Sequence, residues 1–553
     1  MEVTLEHRES PGTVTLVDLA GTIHARHSTA HKEIVLSPMP SADPEDPLNW
    51  TPWRKWRTTL CTLLFVWCVC CSSSACFSVF VPIYEQSGIS LDHLNQGTGY
   101  MYLLFGWALL FWQPLALTFG RRGVFLLCLL GTCMMNVWAG YAVTNGTWIA
   151  SRILIGFFGA PSEALAEVVM ADLWFAHERG TYMGLYVMAL YGGQLACVPA
   201  GYITNAMGWP WVLWWCAILN AVGFVVCFFF LEETMYHRDE LLPTSSTTAA
   251  AIHARASSSG AAHDASVLDQ KKAAEAAGVV GGADSSDGSL QGAHGTSYPV
   301  KSYWQKLAPF VPLNGRRNTF WEQAYKPLLL VRFPGIVFGG FVYGCYLNWF
   351  SIVNATVSVF LTSEPYSWSA ANVGLSYIAE LIGTYLSGFV AGRLADSLTI
   401  RLARRNNGVM EPEFRLWLFA LLALLAPFGL FLYGIGYAHG LSYWSILFGM
   451  VMVGFIGPAC GSLTVTYIVD CFREMSGEAL ITVILIRNTM NFAFNYGVTP
   501  WVDNMGAQNT FLMAGLIAFA TTLVFLIMIV WGKRMRAAGA PAYWKFVEES
   551  MSM

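Results

Sequence analysis

The chain has 553 residues, of which 55% are apolar, 14% aromatic and only 12% charged, with a mean hydropathy of +0.47. A soluble protein of this length needs several domains with charged surfaces, and ordinary usage is about 25% charged, so a soluble multi-domain enzyme is excluded. A net charge of −4 and a pI near 6.3 exclude a nucleic-acid partner, which calls for a basic patch.

Residues 1–57 are polar and carry no signal-peptide pattern, so a partly disordered cytosolic tail is expected there. A membrane-crossing helix needs about 20 mostly apolar residues. Six stretches qualify within 58–231, over 58–82, 97–118, 123–143, 149–171, 180–203 and 210–231. A composition break follows. From His237 to Ser297 there is no aromatic residue, and Ser, Ala, Gly and Asp dominate. Such a segment cannot bury enough apolar area to offset its ordering entropy, so within the cytosolic linker 232–334 the stretch 243–300 is expected to be disordered. Residues 301–332 regain aromatic and basic residues, and an amphipathic segment on the inner membrane face is expected. Six further stretches, 335–361, 371–393, 415–437, 443–468, 478–499 and 510–532, build a second half over 335–532, before a tail over 533–553. The fold class expected is an all-α membrane protein of 12 transmembrane helices in two six-helix halves.

Basic residues orient it. Apart from Arg152 and Arg487, which fall within spans, every Lys and Arg lies in a tail or loop on one side, and the opposite loops have none. By the positive-inside rule both termini and the linker are expected in the cytosol. The 13 cysteines lie in or beside apolar spans, unlike a disulfide framework. The run Cys68-Val-Cys-Cys71 reads as small packing residues, with a soft-metal site the less favoured alternative.

An ionisable group at mid-helix costs at least about 2.5–3.5 kcal/mol, so those retained are functional candidates. In span 4, Arg152, Gly156, Gly159, Glu163 and Glu167 share one helical face. A buried carboxylate pair tends to hold a proton, the chemistry of a proton-coupled carrier. The glycines either let a helix approach or leave room for substrate. Bland alternatives are open: Arg152 snorkels to the outer boundary, Glu167 meets inner water, and Glu163 makes a structural hydrogen bond. In span 11, Arg487, Asn491 and Asn495 follow a four-residue spacing. A midplane guanidinium needs a carboxylate or a substrate anion. Glu380 in span 8 is the preferred partner, and Glu163 is the alternative from the other half. The asparagines either line a path or join helices. Among N-x-Ser/Thr sites only Asn145 faces outside, as a glycosylation candidate.

Several segments together carry a family likeness: RILIGFFGAPSEAL from Arg152, ADLWFAHERGTYMGLY from Ala171, GRLADSL from Gly392, and QPLALTFGRRG from Gln113. The chain resembles fungal members of the major facilitator superfamily, in the twelve-span drug:proton antiporter branch, and within it histidinol/polyamine-type transporters and metabolite exporters. The resemblance implies two halves rocking about a midplane cavity lined by spans 1, 4, 7 and 10, with aromatic lining from Tyr84, Trp349, Phe350 and Tyr467. It implies cytosolic gating loops at Arg121, Arg122, Asp172, Arg179 and Asp396. Leu117 stands where the family has an acidic residue, which leaves the charge relay of the first half incomplete. Ala196–Cys197 stand where the antiporter motif has Gly-Pro, so antiport and symport stay open. The implied protein is a plasma-membrane carrier, not an enzyme. It works as a monomer without cofactor, its energy source is the proton gradient, and its partners are a small-molecule substrate, protons and the lipid bilayer. Export of a toxic or secondary metabolite is favoured over uptake of an organic cation. A non-transporting nutrient sensor is a remote alternative.

Overall fold

In a bilayer every backbone N–H and C=O must be satisfied within the chain, so long apolar stretches become helices. The computed structural model describes residues 14–15, 43–236, 302–310, 320–406 and 409–551. The linker residues 243–300 expected to be disordered lie outside the described residues. Spans 1 to 10 are the helical stretches Pro52–Ser87, Leu91–Phe119, Arg121–Ala139, Asn145–Met170, Tyr182–Met207, Pro210–Phe230, Pro334–Thr362, Ala370–Leu402, Pro412–Ala438 and Tyr443–Cys471. An eleventh, Arg473–Glu549, has 77 residues. At 1.5 Å per residue it would be about 115 Å long, far beyond the ~30 Å hydrocarbon core. It breaks at Gly506, whose φ of +74° suits only glycine without strain, and Thr510 Oγ1 donates to the Trp501 carbonyl across that break at 3.2 Å. The stretch therefore supplies spans 11 and 12, and span 12 continues as a helix beyond the bilayer thickness.

The helices overrun their expected ends because their caps lie outside the apolar runs. Span 1 begins at Pro52, whose missing N–H is harmless in a first turn, and ends at Gly88 with φ +73°. Its course is interrupted by a tighter turn, Ala75–Val79. Span 4 is two helices, Asn145–Gly159 and Pro161–Leu173, because Pro161 cannot donate to the ladder. Asn145 sits in the first turn of the former, where Thr144 and Thr147 form a capping box. A two-residue pairing of Val14–Thr15 with Val409–Met410 is the only strand structure among the described residues.

The spans form one compact unit. A second unit, Met39–Trp50 with Tyr236–Lys301, is described at 43–50 and 236. There the Tyr236 hydroxyl donates to Asp43 at 3.1 Å and the Trp50 ring N–H donates to the Glu45 carbonyl.

Glycines set how closely the spans approach. Within the first half, a Cβ on Gly156 would stand 2.3 Å from the Met101 carbonyl oxygen of span 2. Within the second, Gly383 of span 8 would meet the Val451 carbonyl oxygen of span 10 at 2.0 Å. The seam between the halves uses the same device. Gly201 of span 5 lies on Ala370 of span 8 (2.1 Å from a built Cβ to its carbonyl oxygen), and Gly99 and Gly106 of span 2 lie on Asn495 and Asn488 of span 11. At the end where spans 1 and 7 finish, outer in the expected orientation, Asn95 donates to Thr499 at 2.9 Å and Ser358 lies within hydrogen-bond reach of Val81 N–H and the Ser78 carbonyl.

Candidate functional site

Between the halves lies a cavity of about 60 Å³, lined among others by Ser73, Tyr102, Glu163, Tyr191, Phe350 and Arg487. That volume holds a few waters, not an organic substrate, so the halves are closed around it. Spans 1, 4 and 7 line it as the resemblance implies, but span 10 does not; spans 2, 5 and 11 contribute instead. The reason is steric. Tyr191 and Phe350 pack edge to face at 5.7 Å and stand over Gly457 of span 10. Of the four aromatic residues expected in the lining, only Phe350 is there. Tyr84 is exposed, Trp349 packs on Phe494, and Tyr467 packs on Phe338.

Glu163 and Arg487 form an ion pair across the two halves. Both are buried. Asn488 joins them: its amide donates to Glu163 Oε2 at 2.8 Å, and its side-chain oxygen accepts from Arg487 Nε at 3.2 Å. The guanidinium also lies 4.5 Å from the ring centroid of Tyr343, whose hydroxyl meets that of Tyr191 at 3.3 Å. Pro161 makes this approach possible. The turn after it carries Glu163 toward span 11, and the Tyr186 hydroxyl donates to the carbonyls of Ser162 and Glu163 at 3.1 and 2.8 Å. A buried pair survives desolvation only when further hydrogen bonds complete it, and Asn488 and Tyr343 supply that completion.

Glu380 is therefore not the partner of Arg487. It is buried within the second half, where Asn354 donates to its Oε1 at 3.3 Å and Gly454 of span 10 packs on its backbone. The close packing of spans 8 and 10 keeps it from the seam. Its Oε2 has no hydrogen-bond partner among the described residues.

Arg152 does not snorkel. It is fully buried, 4.7 Å from the Trp148 ring centroid, with Nη1 3.4 Å from the Ser72 carbonyl. The glycines that follow serve helix approach: Gly156 meets Met101 and Gly159 meets Phe105. Glu167 is also buried, out of inner water, one turn beyond Glu163. Asn491 accepts from Ser351 at 2.8 Å and from Asn495 at 3.1 Å, a cross-span ladder beside the seam.

The structure supplies Arg121 with an acidic partner despite Leu117. Its Nε lies 3.1 Å from Asp172 Oδ2. Glu233 accepts from the backbone N–H groups of Arg121 and Arg122 at 3.1 and 3.0 Å, an anion at a helix N-terminus. Arg122 is a structural clasp, donating to the carbonyls of Leu231 (2.8 Å), Phe228 (2.6 Å) and Leu307. The side chains of Arg179 and Asp396 lie outside the described residues. Sequence reasoning missed two groups. Asn488 stands next to Arg487 and off the stripe of Arg487, Asn491 and Asn495; its place three residues before Asn491 was the available signal. The cluster of Arg536 with Glu411 (2.8 Å) and Glu413 (2.7 Å), joined by Lys533 to Glu411 at 2.7 Å, gave no local signal.

The family profile of the Major Facilitator Superfamily matches residues 62–494. An uncharacterised MFS-type transporter of Schizosaccharomyces pombe is 28% identical over 98% of this chain and 94% of its own length. The protein HOL1 of Saccharomyces cerevisiae is 26% identical, covering 91% of this chain and 90% of that protein. The efflux pump vrtL of Penicillium aethiopicum is 24% identical over 91% and 88%. Among solved structures, the human organic anion transporter MFSD10 shares the fold at a TM-score of 0.56 and 15% identity, over 86% of this chain and 100% of that one. The proton:xylose symporter XylE does so at 0.54 and 13%, over 87% and 97%.

Proposed function

The chain belongs to the Major Facilitator Superfamily, as a multi-pass, secondary-active transporter of a small organic molecule, and we propose that it couples that transport to protons through Glu163 and works in export. One observation carries the reading: the only ion pair that joins the two halves inside the central cavity, among the described residues, is Glu163–Arg487.

The ionised carboxylate accepts from Arg487 and Asn488, and so ties span 4 to span 11. A proton on Glu163 removes the charge that holds Arg487. The guanidinium then keeps the Tyr343 ring and the Asn488 oxygen, both on its own half, and the halves are free to part. Substrate entering from the cytosol and a proton entering from outside thus act on one joint. Glu167, one turn inward, extends the proton path, and Arg152, Glu380, Asn491 and Asn495 set the polarity around it. The charge distribution supports cytosolic termini, and the efflux-pump name of the Penicillium relative supports export from the plasma membrane.

In energised vesicles the Glu163→Gln variant is expected to lose proton-driven flux while keeping downhill exchange. Undiminished proton-driven flux would overturn the proposal.

The second reading is proton-driven uptake of an organic cation, histidinol- or polyamine-like. It is favoured by two buried carboxylates of span 4, Glu163 at the cavity and Glu167 one turn beyond it. A cation would compete with Arg487 for Glu163. Flux direction under an inward proton gradient separates the two readings.

A further inference from the structure

Spans 1, 5 and 6 border a groove of about 280 Å³ that the mechanism above leaves unused. Its floor is small and buried: Cys71 and Ala75 of span 1, Ala200 of span 5 and Cys216 of span 6. Its mouth is formed by Leu195 and Trp215, 42% and 46% exposed, with the exposed Pro199. The room comes from the sequence of span 5. Gly193–Ala196 is a tighter turn between the helices Ala176–Gly192 and Cys197–Met207. Pro199 fits the first turn of the second helix, where its missing N–H has no partner to lose. A Cβ on Gly193 would stand 2.4 Å from Cys70 Cβ, so the turn presses on span 1, and the short side chains of Ala196 and Ala200 leave room beside it.

The groove and the central cavity share a wall. Cys70, Ser74 and Gln194 line the cavity, while their chain neighbours Cys71, Ala75 and Leu195 line the groove. That wall is a single layer of backbone. It is pinned where Ser74 Oγ donates to the Gly193 carbonyl at 3.0 Å and the Cys197 thiol donates to the Ser74 carbonyl at 3.1 Å.

The chemistry of the lining selects the occupant. Among the described residues, none that lines the groove is charged. The Trp67 ring N–H is committed to the Gly192 carbonyl at 3.2 Å, and the Cys216 thiol to the Cys71 carbonyl at 3.9 Å. An apolar space of this kind stays dry and takes apolar molecules. The lining runs lengthwise along two spans, from Leu195 to Ile203 and from Val212 to Leu219, which is about 10–12 Å at 1.5 Å per residue. That is most of one leaflet of a ~30 Å hydrocarbon core, the outer one in the expected orientation. The mouth continues onto the exposed apolar side of span 6 at Ile218 and Val222. A slot of this length and chemistry fits a hydrocarbon chain that lies along the helices and keeps its headgroup at the surface.

We propose that this groove is a lipid site: one acyl chain of an outer-leaflet phospholipid lies in it against Cys71, Ala75 and Cys216, and backs the wall of the transport cavity. The seated chain fills the space into which the Gly193–Ala196 turn would otherwise relax. It thereby holds Ser74 and Gln194 at the cavity face.

The test uses the full chain reconstituted in vesicles of phosphatidylcholine that carries a photoactivatable diazirine at mid-chain or at the chain end, with the adducts mapped by peptide mass spectrometry. Cys133 of span 3 is the more exposed thiol and reports ordinary contact with surrounding lipid. Cys71 and Cys216 are only 1% and 5% exposed, so a chain reaches them by entering the groove. Adducts on these two are expected to at least equal those on Cys133. Leu195→Trp, which sets a ring in the mouth, is expected to lower them at least fivefold and leave Cys133 unchanged; Ile203→Trp repeats the block from the other end of the lining. Adducts confined to Cys133, or groove adducts formed by a diazirine-bearing sterol and not by the phospholipid, would overturn the site. Leu195→Trp is also expected to change flux at least threefold, and unchanged flux would overturn the backing of the wall. The flux arm rests on the transport reading above and the labelling arm does not. Glu163→Gln, expected to lose proton-driven flux yet keep the groove adducts, tells failure of the site from failure of that reading.

Discussion

At the residue scale, the need of Arg487 for an anion could be read from its depth in an apolar stretch, but not which anion would meet it. Glu380 and Glu163 are both mid-span carboxylates, and sequence distance favoured the one in the same half. Packing decided otherwise. Gly383 and Gly454 draw spans 8 and 10 together around Glu380, while Gly106 lets span 11 lie flush on span 2 and presents Asn488 and Arg487 to span 4. Asn488 is the test of that geometry. Replacing a hydrogen bond to a charged group costs about 1.5–3 kcal/mol, so Asn488→Ala is expected to lower proton-driven flux by roughly 10–100-fold, with protein yield unchanged. Arg487→Leu is more severe. It leaves a buried carboxylate without its cation, a loss of about 3–5 kcal/mol, read as a fall in thermal stability in detergent. Adding Glu163→Gln to it should restore most of that stability without restoring coupling.

At the scale of elements, the twelve apolar stretches were legible because length and hydropathy suffice for a membrane helix. Their ends and breaks were less so. Pro161 was visible as a helix breaker, yet that it would turn Glu163 across the seam depended on span 2 receiving Gly156 and Gly159. The glycines divide into two groups with different consequences. Gly383→Val forces a side chain into the Val451 carbonyl within one half and is expected to abolish folding, seen as loss of a monodisperse peak in size-exclusion chromatography. Gly201→Val strikes Ala370 across the seam. It is expected to leave a folded protein whose outer end cannot close, seen as raised labelling of a cysteine placed at Ser74 by an impermeant reagent.

The cluster of Arg536, Lys533, Glu411 and Glu413 on the extension of span 12 has a pH signature. Burial acts to raise the Glu411 carboxyl, but hydrogen bonds from Lys533 and Arg536 outweigh it and hold the group below its ordinary value of 4.5. A lowered folded-state value gives stability that is fully present above the unfolded value and is lost as pH falls through the folded one. Thermal stability is therefore expected to drop as pH is lowered below about 4.5, and the drop should shrink in Glu411→Gln.

At the scale of the whole molecule, the composition of 244–297 predicts a tether whose order contributes nothing to transport. Deleting those residues is expected to leave proton-driven flux within about twofold of the full chain, measured in the same vesicles as Glu163→Gln. Loss of flux would give the linker a part in the cycle.

What the sequence by itself determined is the class of molecule. Charge too sparse for water, a dozen stretches long enough for a bilayer, basic residues on one side and a handful of ionisable groups at depth are local or additive properties, and one chain states them without folding. What only the tertiary structure decided is which of those groups meet. Buried charges are placed by the approach of backbones, and that approach depends on glycines and prolines on helices hundreds of residues apart. Arg487 met Glu163, and not Glu380, because Pro161 and Gly106 let span 4 and span 11 converge on one cavity.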